Sequence, residues 1–485
     1  MQQLSPMDAA FLYLENDSTH AHGTFVWIYE VGRSEPDAIS RRTLLDHMRS
    51  RLQVSPVFTR RIHRLPLDFD YPYWVDDDGF ELLYHVRELK MPEGGHRDDF
   101  CRLVGEVHSR PLDASRPLWE LTLVRGLQGI EGLPQHCFAI LGKFHHVAID
   151  GATGMHIIEQ IHDRPASTEE ADPPALRPAR QPDLRASLFR AAVRNVAALD
   201  KGLDLLRAGR NAATDAHEAE QSPAAAVIEA PAEPAGIPQT LFNRRVDPAA
   251  TWDSRTYDLA AIKSLRKSVS SATVNDVLLT LVAGGLRHYL AAQDQLPDAP
   301  MKAGCPVNIR TEQEAAKGGN MISAIIVNMH TDIEAPLERL AAITRSSSAA
   351  KQRATQQGSR KVMDVIAIVP AQAQALVGHA VGAISRTLNR AVKFNCSVSN
   401  LPGPQQELQM LGGRLHSIGA AMPVMNGYGL FVGLTTCAGR LSISMSSCSG
   451  ILPQASELGD CMDRSFRELQ SAARPQNVQR KRKRA

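Results

Sequence analysis

The chain has 485 residues, of which 43% are hydrophobic and 22% charged, and its formal net charge is +2. That length allows two domains with sizeable cores, and that composition is of a soluble globular chain rather than a disordered or membrane-spanning one. Five consecutive basic residues, Arg480 to Arg484, hold the positive excess, and taking those five from +2 leaves the rest of the chain at −3.

The N-terminus, "MQQLSPMDAAFLYLEND", has no basic segment followed by a long apolar one, so no signal peptide is expected. "PLWELTLVRG" (117–126) and "HCFAILGKFHH" (136–146) are apolar runs of strand length separated by a gap containing Gly and Pro. Downstream, Met155, Ile157, Ile158 and Ile161 fall at near-helical spacing within 151–162. Between strand and helix stands "KFHHVAIDG" (143–151): two imidazoles, then a carboxylate, then glycine.

Adjacent residues of a strand point to opposite faces, so His145 and His146 are expected to play different parts, with one facing a given cleft. Asp150 either bonds His146 or fixes the turn that presents it, and Gly151 permits a backbone angle that other residues resist. Two plainer readings compete. The pair is an ordinary sheet-edge pair with Asp150 capping the next helix, or His146, Asp150 and His156 are metal ligands. No HExxH cluster accompanies the second reading.

Residues 163–183 are Pro-rich and polar, a linker. A helical island follows at 184–210, with Leu184, Leu188, Val193, Val196, Leu199, Leu203 and Leu206 as an apolar stripe and arginines mostly off it. Packing on the protein is the expected use of the stripe, and contact with a membrane surface is the alternative. A low-complexity stretch at 220–238 closes the linker.

From about residue 241 a second globular region begins. Helices are expected near 258–270, 274–294 and 365–390, a strand at 321–333, and a hairpin from 428–437 and 439–448. The domain plan is therefore 1–162, linker 163–240, 241–473 and a basic tail 474–485. The tail reads as a solvated end that suits an anionic membrane rather than nucleic acid, because no basic groove laced with aromatics accompanies it. Seven scattered cysteines without a CxxC pair indicate reduced thiols in a cytosolic protein. No run approaches about 18 apolar residues, so no helix is expected to span a bilayer.

"HHVAIDG" fits the HHxxxDG motif of coenzyme-A-dependent acyltransferases. "LSPMDAAFLYLE" (4–15), "PLW" (117–119), "NDVLL" (275–279), "PVNIR" (306–310), "GGN" (318–320) and "SNLPGP" (399–404) stand around it in order. As a set they resemble the bacterial wax ester synthase/diacylglycerol acyltransferase family. The resemblance implies an α/β (α+β) fold of the chloramphenicol acetyltransferase type: two domains, mixed sheets flanked by helices, and an active site at the domain interface. Departures are Cys437 where relatives usually carry Tyr, Cys448 near an acidic position, and Asn308 where relatives often carry Ser.

The resemblance implies acyl transfer from acyl-CoA to a long-chain alcohol, giving wax ester, or to diacylglycerol, giving triacylglycerol. Acyl-CoA is a substrate, and no cofactor or metal is expected. His146 would be the general base and His145 a support for the loop. Asp150 would organise the turn and pair with an arginine, with Arg310 the candidate, and Gly151 would keep the acyl chain's approach open. Asn275 and Asp276 head a long helix, where capping ranks above catalysis. Ser399 or Asn400 would donate to the tetrahedral oxyanion, or "SNLPGP" is a rigid structural loop. No GxSxG nucleophile elbow occurs, in keeping with direct transfer without an acyl-enzyme. The expected location is cytoplasmic, peripherally on the inner face of a membrane or on lipid inclusions. Two other readings remain: a condensation-type catalyst fed by a carrier protein, and a lipid-binding protein without catalysis.

Overall fold

The computed structural model describes residues 2–32, 39–149, 151–163, 179, 181, 183–194, 237–308, 322–356, 371–372, 374–376, 392–404 and 406–474. Asp150, Arg310, "GGN", residues 195–236, most of 365–390 and the basic tail lie outside them.

Among the described residues, seven strands come from the first half: β1 (Gln2–Gln3), β2 (His22–Glu30), β3 (Arg60–His63), β4 (Tyr73–Asp76), β5 (Val86–Lys90), β6 (Trp119–Arg125) and β7 (Cys137–His145). Eight come from the second: β8 (Ala250–Asp258), β9 (Lys302–Asn308), β10 (Ile322–Asn328), β11 (Cys396–Leu401), β12 (Gln409–Met410), β13 (Gly413–Ala421), β14 (Phe431–Cys437) and β15 (Arg440–Cys448). They form two six-stranded mixed sheets, ordered β12-β13-β2-β7-β6-β5 and β10-β9-β11-β14-β15-β8, and a small sheet β1-β4-β3.

Every residue of β7 is buried. Its apolar run without alternation is what a strand covered on both faces requires. One face, with Trp27, Ile140 and Phe144, packs against the helices Arg41–Arg51 and Gly151–Ile161. The other, with Val26, Leu141 and Ala139, packs against the Arg97–Ser109 helix and Trp252. The second sheet buries its own core under the helices Val274–Ala291, Pro336–Gln356 and Ala455–Ala473.

The halves are interlocked. β13 leaves the second half and pairs antiparallel with β2, from Arg414 opposite Glu30 to Ala421 opposite Thr24, with a shift of register between Leu415 and Ser417. Trp252 of β8 donates its indole N–H to Ala420 O at 3.2 Å. Arg97 grips the fully buried Asp253 through Nε at 3.0 Å and Nη2 at 2.9 Å. Glycine at 105 lets the helix touch β8, since a Cβ there would stand 2.4 Å from Ala250 O.

The late hairpin is present as β14 and β15, antiparallel from Phe431 opposite Ser446 to Cys437 opposite Arg440. The island at 184–210 is helical over 184–194, and there the structure corrects the packing expectation. Ser187 and Ala191 are the buried residues, Leu188 is half-buried, and Leu184, Phe189 and Val193 are exposed. All seven cysteines are free thiols. Among the described residues no helix is long and apolar enough to cross a membrane.

Candidate active site

"SPMD" at residues 5–8 starts a helix by itself. Ser5 caps it by accepting the Asp8 N–H at 3.1 Å, and Pro6 occupies the first turn, where a missing N–H costs nothing. The helix Pro6–Leu14 ends at Glu15 and lays Phe11, Tyr13 and Glu15 beside the end of β7.

β7 stops at His145, so strand alternation does not extend to His146, which lies in the following turn. Both rings consequently meet the same N-terminal segment, in different surroundings. His145 is 2% exposed. Its N–H donates to Leu118 O of "PLW" at 3.1 Å, and its Nδ1 accepts the Val147 N–H at 3.1 Å. Because Nδ1 accepts, the neutral ring carries its proton on Nε2, which faces Glu15 Oε1 at 3.2 Å. His146 is half-buried, and its ring stacks on Phe11 with centroids 5.2 Å apart and planes at 22°. Its N–H donates to Ala21 O at 2.8 Å. Glu15 also accepts the Ala21 N–H at 2.8 Å. Glu15 and the backbone of Ala21 thus tie both histidines to one loop.

The electrostatics separate the two groups that can move a proton. Burial pushes the Glu15 carboxyl up, but the contact with His145 and the Ala21 N–H outweigh it, and the net pKa is below the ordinary value. Although His146 keeps some accessible surface, the protein around its ring desolvates it, and with His145 beside it the pKa falls to about 4. His146 is therefore neutral at pH 7, as a base must be. Behind the site lie Lys143, brought down to about 8 by burial, and His108, brought down to about 3 by burial with Lys143 and His20 adding to it. Lys143 Nζ donates to Arg110 O at 2.8 Å.

The other expected residues have partners of their own. Gly151, the last residue of the motif, opens the helix Gly151–Ile161. Asp276 is 1% exposed and closes the capping box of Val274–Ala291. It accepts Thr273 N and Oγ1, both at 2.8 Å, and Ser347 Oγ at 2.5 Å. Asn275 is half-buried beside it. Ser399 and Asn400 belong to β11, opposite Gly433 and Leu434 of β14, which corrects the rigid-loop expectation for that part of "SNLPGP". The turn follows them, and Gly403 is needed there because a Cβ would stand 1.7 Å from Thr436 O. Cys437 and Cys448 are buried. Among the described residues no three His, Cys, Asp or Glu side chains converge as metal ligands would.

The resemblance carried by "LSPMDAAFLYLE" implies no part for Phe11 or Glu15. No local signal marks them, since each acts on a histidine far along the chain. Glutamine at 15 keeps an oxygen for the Ala21 N–H and loses the charge facing His145. Glu15→Gln is expected to lower kcat on the order of tenfold through misplacement of the pair, with the melting temperature little changed. An unaltered kcat would show that the charge is dispensable.

Residues 4–278 match the wax ester synthase/diacylglycerol acyltransferase catalytic domain, and residues 318–470 match the C-terminal domain of the same family. The chain is 26% identical over 461 residues to O-acyltransferase WSD of Acinetobacter baylyi, covering 94% of each chain. It is 29% identical over 475 residues to a putative diacylglycerol O-acyltransferase of Mycobacterium tuberculosis, covering 97% of this chain and 99% of that one. In fold it is similar to the wax ester synthase/diacylglycerol acyltransferase from Marinobacter aquaeolei, with a TM-score of 0.66 at 23% identity over 97% of this chain and 100% of that one. It is also similar in fold to the trichothecene 15-O-acetyltransferase of Fusarium sporotrichioides, with a TM-score of 0.56 at 11% identity over 98% and 95% of the two chains. With a two-domain α/β fold, an HHxxxDG segment at the end of a central strand, and both family domains in order, this chain belongs to the wax ester synthase/diacylglycerol acyltransferase family of O-acyltransferases.

Proposed function

We propose that the protein transfers a fatty acyl group from acyl-CoA directly to the hydroxyl of a long-chain alcohol or of diacylglycerol. The observation that carries this reading is the half-buried, desolvated His146 ring, held on Phe11 at the end of β7 in a chain of this family. A thioester is already activated, so the chemistry lacks only a nucleophile. His146 takes the hydroxyl proton as the oxygen attacks the thioester carbonyl. The tetrahedral adduct collapses with cleavage of the C–S bond, and the imidazolium returns the proton to the departing thiolate. A positioned base supplies about 10²–10⁴-fold in such a step.

His145 and Glu15 hold the loop that presents His146. Both acceptors partition into lipid, so the enzyme works peripherally on a lipid surface. The test is release of free CoA thiol from palmitoyl-CoA with alcohols of increasing length and with diacylglycerol. Rates that rise from short to long alcohols support the reading. Turnover of a carrier-bound acyl group, with none from acyl-CoA, would replace it by a condensation-type activity.

A further inference from the structure

Beside the histidine pair, four chain segments meet over a small apolar cluster that includes Leu4, Tyr13, Tyr71, Leu118 and Val147. The helix Pro6–Leu14, the turn ending at Tyr71 and the helical residues Ala371 and Ala375 contribute to the cluster, and the helical residues 184–194 attach beside it through Arg194. Their attachments are specific. Gln374 Nε2 donates to Pro6 O at 3.0 Å. Arg194 donates to Gln3 Oε1 at 3.0 Å and to the Asp70 carboxylate, with its guanidinium 5.0 Å above the Tyr71 ring. Arg64 lies 5.4 Å from the Tyr13 ring centre.

Each of these segments turns large apolar side chains to the outside: Leu14, Leu67, Leu184, Phe189, Val193 and Leu376. Two are placed against the usual preferences. In 184–194 the small Ser187 and Ala191 are fully buried while Phe189 is 72% exposed, the reverse of a helix whose apolar side covers a core. Leu67 is 92% exposed and has φ +57° and ψ +23°. This left-handed conformation is disfavoured for a residue with a Cβ, and strain kept at such a position points toward function. The Arg64–Asp68 pair, with contacts of 2.8 and 2.7 Å, pins the turn that holds it.

Cations are interspersed. Arg185 and Arg190 are exposed beside Leu184 and Phe189, and Arg64 is partly exposed beside Leu67. Asp183, the exposed acid on that helix, is engaged as its cap through the Ala186 N–H at 2.8 Å. Apolar side chains alternating with arginines complement an anionic lipid surface, whose phosphates meet the cations while its acyl region takes the apolar groups.

We propose that this face is the docking surface for an anionic phospholipid bilayer, with Leu67 and Phe189 set below the headgroups and Arg185 and Arg190 on the phosphates. It rests on the reading that the acceptors are lipids, and it names where the protein takes them up, one side-chain layer from the turn that bears His146.

The experiment is sedimentation of the full chain with phosphatidylcholine vesicles containing phosphatidylglycerol, at low and high salt. Thiol release with a water-soluble short alcohol is measured alongside. Leu67→Asp and Phe189→Asp are each expected to weaken vesicle partition about tenfold at both salt levels, since a charge replaces a buried apolar side chain. Turnover of the short alcohol is expected to be unchanged. Arg185→Gln with Arg190→Gln is expected to weaken partition at low salt only. Leu67→Gly is the decisive variant: relief of the left-handed strain raises the melting temperature while partition falls.

Wild-type partition in the Leu67 and Phe189 variants would overturn the proposal. So would a smaller apparent mass of these variants than of the wild-type chain on gel filtration, which would make the face a contact between copies of the chain. A lower melting temperature in Leu67→Gly would make Leu67 a packing residue and overturn its docking role. Because partition is read without catalysis, unchanged vesicle binding in these variants with intact long-alcohol turnover of the wild type would sink this inference alone. Binding without such turnover would sink only the assigned reaction.

Discussion

Replacing His146 with alanine is expected to lower kcat by at least about 10²–10⁴-fold, the contribution of a positioned base. The fold should survive. The ring is half-buried at a strand end and stacks on one side chain, and the backbone bond from its N–H to Ala21 O does not depend on the side chain. His145→Ala is expected to lose less activity and more stability, because His145 is 2% exposed and its loss leaves Glu15 without the partner at 3.2 Å. The measurement is kcat and melting temperature for both variants with palmitoyl-CoA and a saturating alcohol. Equal loss of kcat with normal melting in both would overturn this division of labour. With the His146 pKa near 4, the wild-type base is already neutral well below pH 6.5. The kcat/KM profile should then be flat between about pH 6 and 8 rather than falling below the ordinary histidine value. A half-maximum near pH 6.5 would mean that the working base is a solvated imidazole, not this one.

The second large effect is on stability. His22, His108 and His162 are all buried in the first half. His162 Nδ1 lies 2.6 Å from Ile158 O and its Nε2 lies 2.7 Å from the Tyr29 hydroxyl. The carbonyl can only accept, so Nδ1 carries the proton and Nε2 accepts from Tyr29. A second proton would break the Tyr29 bond inside the core. Burial holds His162 at about 4 and His108 at about 3, and it holds His22 well below its ordinary value. The unfolded chain binds these protons near pH 6.5, and the native state does not until pH 3–4. The unfolded state therefore binds more protons throughout that window, and stability falls as pH drops below 6.5.

At pH 5 each of His108 and His162 costs about 2 kcal/mol on this account. His22 acts in the same direction. His108 and His162 together, about 4 kcal/mol, come near the lower end of the net stability of a typical domain, about 5–15 kcal/mol. Denaturant unfolding at pH 7.5 and at pH 5.0, at one ionic strength, should show the midpoint falling sharply at the lower pH. Histidine to glutamine at 162 should flatten that slope even if it lowers stability at pH 7.5. Equal midpoints at both pH values would mean that these rings are protonated in the native state.

Much of the fold was legible from local pattern. The apolar runs at β6 and β7, the hairpin of β14 and β15 and the long helix headed by Asn275 and Asp276 depend on interactions within a few residues, and those are written in the chain at close range. The ordered motifs around "HHVAIDG" likewise pointed to the family that the domain matches show.

Partnership at long range was not legible. Nothing in residues 413–421 says that they complete the first sheet beside β2 rather than stay with the second, because an alternating strand specifies which face is buried and not which edge it joins. Ser399 and Asn400 read as loop because Pro and Gly follow them, yet the pairing of β11 with β14 draws them into a strand. The apolar stripe at 184–210 was expected to pack inward, but in its described part Leu184 and Val193 are exposed and Leu188 is half-buried, while Arg194 engages Asp70 and Gln3 and it is Ser187 and Ala191 that are buried. At the site itself, the sequence placed His145 and His146 at the end of a strand, and the family resemblance alone implied their chemistry. Their inequality was decided by where β7 ends and by Glu15 and Phe11, delivered from the N-terminus by packing that no local period encodes.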